Sequence, residues 1–498
     1  MTHLTDRSEE ILARLRRLRE TDAPTHGGRV LSYVYDSGLA ELDELAAAAI
    51  RIMQPVNGLD PTAFPSVASM ERDVIRFARR MLHGDGDDDA EESVVGTVTS
   101  GGTESCLLAV KTARDAWRAT GGRGAPRLLA PVTVHAAFHK AAHYFGLALD
   151  LAPVDAVGRV DPAGLARRFG SDVALVVVSA PAYPHATLDP VAEVAAAASV
   201  AGIACHVDAC IGGWVLPWWG SELPAWDFAV PGVTSMSADL HKFGYAPKGA
   251  SVLLQRGRDR QRGQYFATKR WPGYPVVNAT MLGSKSAGAL AAAWAVVERL
   301  GSDGFAELSA SCRRSTDALT SAINAIDGLR VVGTPTGPLC AVAADESVPT
   351  ARRVDPHHWA DRVKQLGWLL QQQPGLEQPD GVRLPHTTHL TFTPVTESVL
   401  APLTAALIQA ADDVRGIPPV NPAQALAAFP ARPDISAPVT SDEASAVLAQ
   451  LGIGAGDSVL PDQMAPLLAL IEALPAPLAE RLLIELLARL VEPAREPD

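Results

Sequence analysis

Apolar positions follow two rhythms along this chain. Before residue 82 they recur at helical spacing: Ile11, Leu12, Leu15 and Leu18 among arginines over 7–20, a run from Leu42 to Met53, and a third with Met70, Val74, Phe77 and Met81 on one face. The first of these helices is expected to pack in the core or against another subunit. From Val94 the rhythm changes to short apolar runs at 94–98, 127–132, 147–153, 173–179 and 203–207, each followed by a turn and a helical pattern. Strands that alternate with helices pair into a mostly parallel central sheet with helices on both faces, and such a sheet carries its ligand loops at the carboxyl ends of its strands. An α/β fold is therefore expected. After about residue 300 a helix at 305–326, strands at 329–332 and 341–344, a helix at 357–365 and a strand at 389–393 predict a smaller α+β C-terminal domain, with a turn-rich loop at 374–385 bordering the entrance. Beyond Arg415 the chain becomes rich in Pro and Ala and then places Leu478, Leu482, Leu486 and Leu490 on one helical face. The expected division is an N-terminal helical segment and substrate loop (1–65), a large domain (66–300), a small domain (301–415) and an appendage used for packing (416–498).

Composition narrows the classes. A chain of 498 residues with 47% hydrophobic and 20% charged residues can bury a large core without staples. Its formal net charge of -13 argues against nucleic acid and anionic membrane surfaces as partners. No stretch of about 20 apolar residues predicts membrane insertion, and the N-terminus lacks the apolar core of a signal peptide. The five cysteines are scattered and form no CxxC pair, so they are read as reduced cytosolic thiols with no disulfide framework and no metal site. The acidic run 85–92 lacks calcium-loop spacing and is read as a solvated loop.

The chemistry sits in the strand-terminal loops. Thr99-Ser-Gly-Gly-Thr-Glu-Ser105 opens into a helical stretch, 106–120, where adjacent glycines, hydroxyls and a helix N-terminus form a cup for phosphate. It lacks the spacing of a P-loop or a dinucleotide fingerprint. His135, at a strand end, can lie flat on an aromatic ring, whereas His139 and His143 are expected to cap or pack; Tyr183 and His185 lie in another such loop. Asp208 ends a buried strand, where a carboxylate needs a cationic partner, and a protonated heteroaromatic nitrogen is one. In Ser235-Met-Ser-Ala-Asp-Leu-His-Lys-Phe-Gly-Tyr-Ala-Pro-Lys-Gly249, Lys242 needs a shielded pocket in which its proton can be removed if it is to attack a carbonyl. Phosphate cup, stacking imidazole, buried carboxylate and shielded lysine together match pyridoxal 5'-phosphate.

Over about Gly28 to Pro394 the text resembles the sphingosine-phosphate lyase branch of the group II decarboxylase family of fold type I. The resemblance is carried by Thr99–Ser105, His135-Ala-Ala-Phe with Lys140-Ala-Ala-His-Tyr-Phe-Gly146, Tyr183-Pro-His with Asp189-Pro190, His206-Val-Asp-Ala-Cys-Ile-Gly-Gly213 and the long run Gly232–Gly249. It implies that Lys242 bears the cofactor as a Schiff base, that Gly102, Thr103 and His241 hold its phosphate, that His135 stacks on its ring and that Asp208 faces its pyridine nitrogen. It also implies a homodimer with active sites at the interface, where Thr280–Lys285 approaches the partner's cofactor phosphate.

In that family a tyrosine, a histidine in an Asn-Pro-Leu-His loop and the lysine of Ala-Pro-Lys-Gly gather a substrate phosphate. Here Tyr35 and Lys248 match, but the loop reads Asn57-Gly-Leu-Asp60. A carboxylate beside a phosphate dianion is repulsive by several kcal/mol in a partly dry site. The expected activity is carbon–carbon cleavage of an amino alcohol, phosphorylated or not, to an aldehyde and an amine. Lys242 and Lys248 would move protons, and Tyr35, Asn57, Asp60, Tyr183 and Lys248 would meet the small-molecule amine. An amino-acid decarboxylase is the alternative, since the same cradle supports loss of carbon dioxide, and a non-catalytic interaction protein is the remote one.

Overall fold

The computed structural model describes residues 2–85, 93–423, 440–450 and 462–493. All but the first residue of the acidic run lies outside the described residues.

Seven strands build the large sheet: β1 (Val94–Thr99), β2 (Arg127–Pro131), β3 (Ala148–Ala152), β4 (Val173–Ser179), β5 (Ala204–Asp208), β6 (Ser235–Ala238) and β7 (Ser251–Arg256). Their order is β1-β7-β6-β5-β4-β2-β3. The pairs β2–β3, β2–β4, β4–β5 and β5–β6 are parallel, and β7 runs against both its neighbours. The five apolar runs all become strands. β4 is buried at every position, with Leu175 and Val177 in the core on one face and Val176 and Val178 in the core on the other. Each such side chain contributes roughly 1.5–3 kcal/mol.

Helices α1 (Thr2–Arg19), α2 (Ala40–Met53) and α3 (Pro65–Met81) precede the sheet, and α4 (Gly102–Ala119), α5 (Ala136–Phe145), α6 (Pro162–Ala166) and α7 (Val191–Val200) connect its strands. α4 and α5 cover one face through Leu107, Val110 and Phe138. α3 and α7 cover the other, together with α9 (Gly288–Asn324), which follows the short α8 (Arg258–Arg262). α1 departs from its expected role within the chain, since Ile11, Leu12, Leu15 and Leu18 are all exposed.

α9 breaks at Gly301, and its later turns place Leu319 and Ile323 in a second core. A ribbon of β8 (Phe266–Thr268) and β9 (Val276–Asn278) precedes α9. The second core is backed by β10 (Leu329–Val331), β11 (Leu339–Ala344), β12 (Gln371–Gln373) and, after the ribbon β13 (Leu376–Glu377) and β14 (Arg383–Leu384), by β15 (Thr387–Thr391). These four form an antiparallel sheet in the order β10-β11-β15-β12, covered by α10 (Pro356–Gln365) and α11 (Leu400–Val414). The expected loop at 374–385 is thus largely the β13–β14 ribbon, and Gly375 and Arg383 bind the Glu472 carboxylate of the appendage.

The described helices of the appendage are Ser441–Gln450, Ala465–Ala473 and Ala476–Leu490, gathered around Leu470, Leu478 and Leu482. Asp361 of α10 caps the second of them through Met464 N and Ala465 N. Among the described residues no helix is long and apolar enough to cross a membrane.

Candidate active site

The carboxyl ends of β1, β2, β4, β5 and β6 converge on one cleft. After β1 the chain turns at Gly101, whose φ of 152° suits glycine, and enters α4 at Gly102. The helix starts earlier than the expected 106, so Gly102 and Thr103 form its first turn rather than a preceding loop. No side chain caps Gly101, which leaves the first N–H groups of α4 open to an anion. Neither glycine has room for a side chain: a Cβ at Gly101 would meet the His241 ring at 3.0 Å, and one at Gly102 would meet Asp239 Oδ2 at 2.6 Å. Glu104 ties the turn to its surroundings by accepting from Ser100 N at 2.6 Å and from Met281 N.

Lys242 follows β6, with its Nζ 2.9 Å from Asp239 Oδ2. Asp239 is 1% exposed, and its Oδ1 is buried without a hydrogen-bond partner. Burial opposes the charge on Lys242, but the Asp239 carboxylate outweighs it and holds the amine well above the usual lysine range. The pocket is shielded as expected, yet it keeps the proton on Lys242. His241 Nε2 also faces Asp239 Oδ2, at 3.5 Å, and its Nδ1 accepts from Gly249 N at 3.4 Å. Burial lowers the pKa of that imidazole.

Asp208 ends β5. Its Oδ1 accepts from Cys210 N at 3.1 Å and from Ser237 Oγ at 3.4 Å. Ser237 also lies 3.2 Å from His206 Nε2, and burial pushes His206 down to about 4, so a neutral imidazole backs the hydroxyl that holds the carboxylate. The cysteines are free and buried, but the fold brings Cys106 Sγ and Cys210 Sγ within 4.8 Å of each other and of an Asp208 oxygen. Both thiols are pushed up, Cys106 by burial and Cys210 by its contact with Cys106 and by burial, so both stay protonated. Spacing along the chain gives no sign of this cluster, because one thiol lies on α4 and the other after β5.

His135 caps α5: its Nδ1 accepts from Ala137 N at 3.1 Å, which fixes the proton on Nε2, and burial lowers its pKa. His139 and His143, expected to cap or pack, instead stand on the exposed face of α5. Tyr183 faces the cleft, stacked on His389 at 4.1 Å, and donates to Gln371 Oε1 at 2.5 Å; Gln371 Nε2 in turn donates to Tyr33 Oη at 2.6 Å. His185 does not reach the cleft, for it is buried against Gly158, where a Cβ would meet its Nδ1 at 2.5 Å. Gln371 and Tyr33 were not expected here.

The segment 29–38 is pinned by Leu31 N to Leu369 O at 2.8 Å and by Asp36, which accepts from Gly27 N and Gly38 N, both at 2.9 Å. It carries Tyr35 edge-on to Phe243 at 5.1 Å. Burial pushes the Tyr35 phenol up to about 12. Lys248 Nζ sits 4.7 Å above the Tyr35 ring and donates to Tyr33 O at 3.2 Å and His241 O at 3.0 Å. Burial and the charge of Lys242 lower it to about 8.

Asn57 and Asp60 do not join Tyr35 and Lys248 within one chain. They line a neighbouring cavity of about 1120 Å³ with Ser100, Gly249, Tyr274 and Lys285. Asn57 Oδ1 accepts from Leu59 N at 3.0 Å, Gly58 N donates to Lys285 O at 2.7 Å, and Lys285 Nζ donates to Thr280 Oγ1 at 3.0 Å. Asp60 spends its Oδ1 on Thr62 N at 2.9 Å and Thr62 Oγ1 at 2.6 Å, as a turn-forming carboxylate on the surface.

The donor set of the cleft suits a phosphorylated aromatic aldehyde. Uncapped N–H groups over two glycines receive an anion, a lysine reaches the same cleft, and a carboxylate held on one oxygen offers the other to a protonated ring nitrogen.

Residues 35–334 match the model of the pyridoxal-dependent decarboxylase conserved domain, and 421–489 match that of a C-terminal putative HTH domain of pyridoxal-dependent enzymes. The chain is 36% identical over 380 residues to the sphingosine-1-phosphate lyase of Dictyostelium discoideum, covering 76% of this chain and 68% of that protein. It is 33% identical over 382 residues to the rice sphingosine-1-phosphate lyase, covering 76% and 69%. The solved sphingosine-1-phosphate lyase of Burkholderia pseudomallei superposes with a TM-score of 0.75 at 32% identity, over 84% of this chain and 92% of that one. A glutamate decarboxylase from Lactobacillus brevis shares the fold, with a TM-score of 0.71 at 21% identity over 81% of this chain and 92% of that one.

Proposed function

The chain belongs to the pyridoxal-dependent decarboxylase family, in its sphingosine-1-phosphate lyase-like branch, and on that premise we propose that it cleaves a phosphorylated long-chain amino alcohol, of the sphingoid-base type, to an aldehyde and a phosphorylated amine. It is a pyridoxal 5'-phosphate-dependent lyase with a fold type I architecture. The observation that carries the substrate reading is the pairing of Lys248 with the Tyr35 ring beside Lys242, a cationic grip on the cleft.

Bound pyridoxal 5'-phosphate supplies an electron sink joined to the carbon that bears the substrate's amine, which lets the neighbouring carbon–carbon bond break. In this reading Lys242 Nζ would hold the cofactor through its aldehyde, and the first N–H groups of α4 at Gly102 and Thr103, with His241 Nε2, would hold its phosphate. Asp208 keeps a proton on the ring nitrogen, oriented by Cys210 N and Ser237 Oγ. His135, fixed by its cap bond, would stack on the ring. Lys248 Nζ binds the substrate phosphate while protonated and is placed to pass protons with Lys242. Tyr35 and Tyr183 orient the hydroxyl from which a proton must leave, Tyr183 through its bond to Gln371.

Two copies complete the site. Asn57 and the 280–285 loop form one neighbouring patch, and a two-fold pairing would bring Thr280 and Lys285 to the partner's cofactor phosphate, while Asp60 is spent on Thr62. The five free thiols and the absence of a spanning helix among the described residues support work in the cytosol.

Borohydride reduction of the cofactor-loaded protein should attach the cofactor to the peptide containing Lys242, and Lys242→Ala should abolish both that adduct and aldehyde release from a sphingoid-base phosphate. Carbon dioxide release from amino acids, with no aldehyde from the phosphorylated amino alcohol, would overturn the substrate reading and leave the cofactor reading standing.

A further inference from the structure

The carboxylate nearest to Lys242 has no part in the cofactor reading above. We propose that Asp239 is the positioning residue for Lys242: its buried carboxylate clamps Nζ beneath the α4 cup and sets the pH at which that amine is released for reaction with an aldehyde. The inference rests on the reading that Lys242 bears the cofactor, and it adds the group that controls that amine.

The geometry isolates Asp239 for this role. Asp239 Oδ2 is 2.9 Å from Lys242 Nζ, while Oδ1 is buried without a partner. A carboxylate at 1% exposure stays ionised only beside a cation, and the N-terminus of α4 lies directly over it, since a Cβ at Gly102 would meet Oδ1 at 2.7 Å and Oδ2 at 2.6 Å. The other titratable groups facing the pair are engaged or weak acids. His241 Nε2 is 3.5 Å from Asp239 Oδ2 and is kept neutral by burial, and Lys248 is bound to two carbonyls. Tyr35 is a phenol raised to about 12, and Tyr183 is a phenol bound to Gln371. Cys106 and Cys210 are protonated thiols, His135 spends Nδ1 on its helix cap, and Asp208 is tied to Cys210 N and Ser237.

Condensation of an amine with an aldehyde forms a carbon–nitrogen bond and expels the aldehyde oxygen as water. The ammonium must give up a proton before attack, and the departing oxygen must gain protons before it leaves. Asp239 Oδ2 stabilises the ammonium and so sets the pH at which the first proton is lost to water, and water returns protons to the departing oxygen, with no change of oxidation state.

Two cofactor-free readouts on the full chain test the clamp. Competitive acetylation of lysines with acetic anhydride, read by mass spectrometry from neutral to alkaline pH, gives a labelling midpoint for each amine. In the isosteric Asp239→Asn the Lys242 midpoint should fall by about one pH unit or more, with exposed Lys140 unmoved. The second readout is stability. Lys242→Met strands Asp239, so it should lower the melting temperature at neutral pH, with recovery as acid protonates Asp239 or when Asp239→Asn is added. An unmoved Lys242 midpoint in folded Asp239→Asn, or additive stability losses in the double variant with no recovery in acid, would overturn the proposal. Neither readout contains the cofactor, so failure here leaves borohydride trapping at Lys242 to be judged separately.

Discussion

Lys242 and Lys248 share one loop and meet opposite fields. Lys242 faces a buried carboxylate that outweighs its burial and is raised, whereas Lys248, with burial and the charge of Lys242 against it, is lowered to about 8. A lysine that grips a phosphate must be charged, and this one loses its proton as pH rises through about 8. The KM for a phosphorylated amino alcohol should therefore climb above that pH, and Lys248→Arg, whose guanidinium stays charged, should flatten the climb; a KM that is level across that pH in the parent enzyme would remove Lys248 from the phosphate site. The pair Asp239–Lys242 has its own window. The depressed Asp239 contributes stability that is lost as pH falls through its folded value, and the raised Lys242 contributes stability that is lost as pH rises through its own. Lys242, Asp208 and His135 were legible because each closes a short motif at a strand end. Asp239 stood in the same motif, but a carboxylate three residues before a lysine carries no signal until the turn after β6 folds it beneath Nζ. Gln371 had no signal at all, since it reaches Tyr183 and Tyr33 only through pairing of β12 into the small sheet.

Elements were legible where burial and pattern agree. β4 is apolar throughout and buried on both faces, so its run predicts it directly. β6, Ser235–Ala238, is equally buried but alternates serine with apolar residues, because Ser235 and Ser237 hydrogen-bond His206 and Ser237 also reaches Asp208; the strand serves the site at the expense of its own signal. The start of α4 was misplaced for a related reason. Gly102 lowers helix propensity, yet only glycine fits over Asp239, so the helix begins on a residue that sequence rules place before it. Gly102→Ala tests this directly. Its Cβ would force Asp239 and the first turn apart, so cofactor affinity should fall at least tenfold while far-UV circular dichroism is kept; unchanged affinity by fluorescence titration would show that the first turn of α4 does not bind the phosphate.

At the scale of the whole molecule, the cleft and its neighbouring patch differ in completeness. The cleft gathers its groups from five strand ends, whereas the patch of Asn57, Asp60, Thr280 and Lys285 lines a large cavity together with Arg72, Arg76 and Arg79 of α3. The 265–285 segment next to it leaves Phe266 60%, Tyr274 62%, Val277 62% and Met281 54% exposed, and α1 adds Ile11, Leu12, Leu15 and Leu18. Exposed apolar side chains gathered in this way mark an interaction surface more often than they lie bare in water. The two-fold pairing proposed above would set each patch against the other chain's cleft and bury both ribbons at once. The sequence shows the apolar residues but not that the chain leaves them uncovered, which depends on where β8 and β9 project from the fold. Val277→Glu places a charge on the exposed ribbon, outside the core and at the rim of the cavity that Lys285 lines. On the proposed pairing the parent chain should sediment as a dimer and the variant as a monomer, with aldehyde release lost and the melting of the fold largely kept. Full activity from a monomeric Val277→Glu would mean that one chain holds a complete site and that the patch around Lys285 serves some other purpose.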